Sequence, residues 1–168
     1  RIRYIKTGQV PTLVLLHTLR TQLDLFEKVI PELSKHYSVY ALDYPGHGYS
    51  DIPIARYDAN FFANFVESYL NIMDLKDVTL SGVSIGGSIS LIIAGRQNPR
   101  VKQVLAINPY DYFNGRGGAR SSFLGALIFY TGAVPVLGET FMRLRNFIIM
   151  KAVLNGGVVN SESISPAL

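Results

Sequence analysis

A pentapeptide of the form G-x-S-x-G occupies residues 82–86, between a β-branched apolar run and a segment rich in small residues. A strand must therefore turn into a helix within a few residues. The residues two before and two after the serine approach each other so closely that they must be almost free of side chains, and Gly82 and Gly86 meet this demand. A turn of this kind presents the hydroxyl of Ser84 at its tip, as a nucleophilic serine requires.

Strands and helices alternate along the first two thirds of the chain. Five segments are predicted as strands, at residues 3–6, 12–16, 37–42, 78–82 and 101–107, of which residues 12–16 form a continuous apolar run. Segments with helical spacing lie at residues 24–35, 58–73 and 84–96. Pro31 predicts a kink or break in the first helix, and Asp58 predicts a cap for the second. The alternation predicts an α/β fold, a mainly parallel sheet covered by helices.

The carboxyl ends of the predicted strands meet at one edge of such a sheet, where sites form. Ser84 is the predicted nucleophile there, because a helix N-terminus gives it the positive end of the helix dipole. The backbone N–H of Ile85 can hold a developing oxyanion. A second donor is expected from the loop at residues 17–19, with the Leu19 N–H the first choice and Thr18 the next.

A serine nucleophile needs a base, yet no histidine follows Ser84 in the chain. His17 follows a buried strand, and we expect it to shape the oxyanion loop by hydrogen bonding and to border the substrate site together with Thr18. The other histidines are interpreted as structural or surface residues: His47 in a tight turn and His36 at a helix end.

Asp111, just past the last predicted strand, is a candidate catalytic acid, with a loop or cap role as the alternative. The histidines and carboxylates lack metal-ligand spacing, and the glycines lack a following G-K-[ST], so no metal or cofactor is predicted. The absence of cysteine excludes disulfides. The net charge of +4 comes from scattered basic residues, which argues against a nucleic-acid partner.

The pattern changes after Asn108 and Pro109, which predicts a core at residues 1–110 and a helical cap or lid at residues 111–168. The apolar stretch at residues 123–138 falls short of the roughly 20 residues of a transmembrane helix. It predicts a buried or cap helix, with a membrane-surface helix and peripheral membrane association as the alternative. A cytoplasmic location is the default prediction, and the natural N-terminus is expected to precede the first residue, because a strand already begins there.

Three segments together resemble the α/β-hydrolase family. Residues 15–19 are similar to its oxyanion loop, residues 43–51 to its D-x-P-G-x-G-x-S segment, and residues 82–87 to its nucleophile elbow. Thr18 stands where the family usually has glycine, which reduces the backbone freedom of the loop. The resemblance implies a cap after residue 107, followed by two more strands, the catalytic histidine and the usual acid. We therefore expect an N-terminal portion of the fold, with a missing segment or a second chain completing it.

The resemblance implies a serine hydrolase that acts on a carboxylic ester or related acyl substrate. The apolar segment at residues 123–130 predicts a small apolar acyl or aromatic substrate, and the missing histidine predicts that this chain alone is inactive. Other reactions of the same scaffold, C–C bond hydrolysis and haloperoxidase-type perhydrolysis, stay open. So does a non-catalytic module that binds ligands in an α/β-hydrolase pocket.

Overall fold

A five-stranded sheet forms the centre of the computed structural model, which describes residues 1–110. The strands are β1 (Tyr4–Thr7), β2 (Thr12–Leu16), β3 (Ser38–Leu42), β4 (Val78–Val83) and β5 (Val101–Ile107), in the spatial order β1-β3-β2-β4-β5. Only β1 runs antiparallel to its neighbour, and the other pairs are parallel. The predicted α/β class with a mainly parallel sheet is confirmed.

Three α-helices connect the strands: α1 (Ile30–Leu33), α2 (Ala59–Ile72) and α3 (Ile85–Gly95). The Asp58 carboxylate caps α2 by accepting the Phe61 N–H at 2.9 Å, as its position before the apolar run predicts. The segment predicted as helical over residues 24–35 is not one continuous helix, and the break predicted at Pro31 is present beside it. A 3-10 turn at Leu23–Phe26 comes first, and α1 begins only beside Pro31. Proline lacks the N–H that a continuous helix needs there, but it fits the first turn of a new one.

Two apolar clusters sandwich the sheet, because alternate residues of each strand face opposite sides. On β2, Val14 and Leu16 pack under α2 and α3, whereas Leu13 and Leu15 pack under the segment around α1. Within the described residues β5 lies at one edge of the sheet, and its Leu105 side chain is more than half exposed. The predicted cap and the candidate acid Asp111 lie outside the described residues, so the domain boundary stays a prediction.

Candidate active site

Ser84 lies between the end of β4 and the start of α3 with φ 54° and ψ −114°, a conformation that side-chain-bearing residues rarely adopt. The two flanking glycines explain how the chain tolerates so sharp a turn. A Cβ on Gly82 would lie 2.2 Å from the Gly86 carbonyl oxygen, and a Cβ on Gly86 would lie 2.2 Å from the Leu16 carbonyl oxygen. Both spaces are filled by backbone, so the turn closes only with glycine at these positions.

Hydrogen bonds hold the Ser84 backbone on both sides. Its N–H donates to the Ile107 carbonyl at 2.9 Å. Its own carbonyl accepts the Ser88 N–H and the Tyr110 N–H, each at 3.1 Å. The turn is therefore tied both to the first turn of α3 and to the chain that leaves β5, while the Ser84 residue stays partly exposed.

His17 is fully buried at the end of β2, and its ring connects two loops. Its Nε2 accepts the Tyr44 N–H at 3.2 Å, so the proton resides on Nδ1, which donates to the Thr18 carbonyl at 2.8 Å. Burial lowers the pKa of His17 to about 4, against the smaller raising effect of the bond to Thr18. The ring is thus neutral at physiological pH, and its two hydrogen bonds connect the loop after β2 to the loop after β3.

A buried carboxylate fixes the neighbouring loop after β3. Asp43 is fully buried, with one oxygen accepting the Leu23 N–H at 2.7 Å and the other accepting the Tyr49 N–H at 3.0 Å. Arg3 lies 3.4 Å from Asp43 and makes a bidentate pair with Asp24, at 2.7 and 3.0 Å. Asp43 therefore ties the loop that follows β3 to the 3-10 turn that begins at Leu23.

Sequence reasoning missed Arg3 and Asp24, which are 21 residues apart. No spacing or motif links them, and only the pairing of β1 with β3 brings Arg3 to this edge of the sheet. Ser88 was missed as well, although a serine one helical turn after a predicted nucleophile is a signal that could have been followed.

The predicted oxyanion donors lie on the two segments that meet at this edge. Ile85 begins α3, where N–H groups have no acceptor within the helix. Gly86 contacts the carbonyls of Leu16 and His17, so the start of α3 packs directly against the loop that carries Leu19. The role of each donor, and substrate contact by His17 and Thr18, stay predictions.

The remaining two histidines flank β3 in the chain. The His47 ring packs 5.3 Å from the His17 ring, its Nδ1 lies 3.2 Å from the Pro45 carbonyl oxygen, and His36 is exposed on the surface. Residues 1–110 contain no group of three histidine or carboxylate side chains able to hold a metal ion. In the same region no helix combines the length and apolarity needed to cross a membrane.

The chain is similar to several known proteins. A family model described as alpha/beta hydrolase fold matches residues 11–146. An uncharacterized protein of Mycobacterium tuberculosis is 26% identical over 94% of this chain and 43% of its own length. The (E)-2-((N-methylformamido)methylene)succinate hydrolase of Acinetobacter baylyi is 30% identical over 62% of this chain and 40% of its own. The crystal structure of a bacterial membrane phospholipase A is 32% identical with a TM-score of 0.59, over 61% of this chain and 34% of that one. The chain thus spans less than half of each of these three proteins.

Proposed function

The chain belongs to the alpha/beta hydrolase fold family, and we propose that it is the nucleophile-bearing part of a serine hydrolase that cleaves carboxylic esters or related acyl compounds. The observation that carries the proposal is the backbone of Ser84. Its φ of 54° costs about 1–3 kcal/mol and persists only where the surroundings enforce it. Such strain at a serine on a strand-to-helix turn is the arrangement that projects a hydroxyl nucleophile.

In the proposed reaction the Ser84 hydroxyl attacks the substrate carbonyl carbon while a base removes its proton. The carbonyl oxygen becomes an oxyanion, which the N–H groups of Ile85 and Leu19 would stabilise by about 3 kcal/mol each. The leaving group takes a proton, and water then hydrolyses the acyl-serine by the reverse sequence of proton transfers. The positive end of the α3 dipole lies at the same point and favours the developing charge.

The base in this proposal is a histidine outside the 168 residues. His17 cannot act as this base without breaking its hydrogen bond from Tyr44, because its only unprotonated nitrogen already accepts the Tyr44 N–H. The chain spans 43% and 40% of two matched relatives, which leaves room for a further catalytic segment. Asp111 remains a candidate for the acid that orients this histidine. We expect the 168 residues alone to show little or no esterase turnover.

A small apolar acyl or ester substrate is proposed. Leu19, on the predicted oxyanion loop, is 46% exposed, so an apolar side chain is available beside the site. The phospholipase named in one similar structure and the succinate derivative named in one relative show how widely substrates vary among such proteins. The proposal therefore specifies the reaction and the apolar acyl group, not one compound.

A substrate panel on the full-length protein tests the proposal. Nitrophenyl esters of increasing acyl length should be hydrolysed, and Ser84→Ala should lower kcat/KM by at least about a thousandfold. Ser90→Ala is the matched control, because this buried serine only donates to the Gly86 carbonyl within α3. Ester turnover retained in Ser84→Ala would refute the nucleophile. Cleavage of ring-cleavage diketones in preference to esters would favour the C–C hydrolase alternative.

A further inference from the structure

Ser88 lies one helical turn after the serine at the elbow, and its side chain is buried. Its Oγ lies within hydrogen-bond reach of two carbonyl oxygens, those of Tyr110 and of Ser84, the latter at 3.4 Å. A hydroxyl has a single proton, and 3.4 Å is too long for a good hydrogen bond between two oxygens. The proton is therefore donated to Tyr110, across to the chain that leaves β5.

This bond completes a closed ring of hydrogen bonds around the elbow. The Tyr110 N–H donates to the Ser84 carbonyl, and the Ser88 hydroxyl donates to the Tyr110 carbonyl. Both backbone polar groups of Tyr110 are thus bonded, its N–H to Ser84 and its carbonyl to Ser88. The Ser88 N–H also donates to the Ser84 carbonyl, so Ser88 contacts both partners of the ring.

A strained backbone persists only where its surroundings over-determine it. Beyond the glycines, Ser84 is held by its bond to Ile107 and by the bond from Tyr110. Asn108, between these two residues, also has a positive φ of 44°, a backbone conformation that is uncommon for residues other than glycine. The hydroxyl of Ser88 adds a side-chain hydrogen bond that holds this segment against the elbow.

We propose that Ser88 is a positioning residue, which holds residue 110 against the elbow and thereby keeps the Ser84 hydroxyl in its reactive orientation. The inference rests on the proposed function of Ser84. Ser88 itself contacts no reacting atom in this scheme. Its loss should slow the reaction of Ser84 while leaving substrate binding unchanged.

The test compares Ser88→Ala with Ser90→Ala in the full-length protein. Both lose a buried serine hydroxyl of α3 that donates to a backbone carbonyl, but the Ser90 bond stays within the helix. Loss of the net free energy of one such hydrogen bond corresponds to about a tenfold change in rate. We expect Ser88→Ala to lower kcat and the rate of fluorophosphonate labelling about tenfold with KM unchanged, and Ser90→Ala to change neither. Ser88→Thr, which retains the donor, should restore most of the rate.

Hydrogen exchange of the Tyr110 amide provides a readout that does not depend on activity. Exchange should accelerate about tenfold in Ser88→Ala and not in Ser90→Ala. Equal labelling rates, or equal exchange, in these two variants would overturn the inference. Failure of the parent protein to label at Ser84 would instead refute the proposed function, and the exchange measurement would still decide whether Ser88 holds residue 110.

Discussion

Replacement of Gly86 by alanine is the sharpest structural test of the elbow. The added Cβ would lie 2.2 Å from the Leu16 carbonyl oxygen, 2.8 Å from its carbon and 3.0 Å from the His17 carbonyl oxygen. Real Cβ atoms essentially never approach closer than 3.0 Å, so backbone must move by about 0.8 Å. The atoms that must move belong to the end of β2, which is paired with β4 at Leu16 and Gly82.

Such a displacement weakens the geometry of buried hydrogen bonds, which costs about 1–3 kcal/mol, and overpacks the turn at a similar cost. The higher helix propensity of alanine offsets about 1 kcal/mol of this loss. The net loss should be about 3 kcal/mol, or about 10 °C in Tm.

Gly95→Ala in the same helix is the matched control. A Cβ there meets nothing within 4 Å, so only the gain in helix propensity, up to about 1 kcal/mol, should appear. Thermal unfolding followed by circular dichroism measures both variants. A Tm for Gly86→Ala equal to that of Gly95→Ala would refute the reasoning about the elbow.

Two further predictions concern the residues that support the site. Burial lowers the pKa of His17 from its ordinary 6.5 to about 4, so the unfolded chain binds a proton first as the pH falls. The free energy of unfolding should then decrease by up to about 3 kcal/mol between pH 7 and 4. Urea unfolding at each pH measures this decrease, which should be smaller in His17→Gln than in the exposed control His36→Gln. Arg3→Ala leaves the buried Asp43 carboxylate without its guanidinium partner and should destabilise the protein by about 2 kcal/mol in urea. Lys35→Ala, in an exposed pair, should cost about 0.5 kcal/mol or less, and equal losses for the two would contradict this account.

The sequence reveals those parts of the site that depend on local backbone geometry. A strand that turns into a helix around a serine needs glycine two residues before and two residues after the serine. Gly82 and Gly86 stand at these positions, so the elbow could be predicted from five residues. The buried parallel strands β2, β3 and β4 were predictable to within a residue or two, because such strands are mostly apolar runs. These features depend on residues adjacent in the chain, which is why a single sequence contains them.

Contacts between distant segments could not be predicted in the same way. The Arg3 pair with Asp24 and the Ser88 bond to Tyr110 join residues that are 21 and 22 positions apart. Both depend on which strands lie side by side, and propensity does not encode that order. The break in the helical segment at residues 24–35 has a local cause, the missing N–H of Pro31, and the sequence alone could therefore indicate it.

Fluorophosphonate labelling of the full-length protein, with the modified peptide identified by mass spectrometry, tests the central claim most directly. The account predicts that the probe is attached to Ser84, and that Ser84→Ala abolishes labelling while Ser90→Ala does not. Labelling of Ser84→Ala as strong as that of the parent protein would show that the nucleophile lies elsewhere.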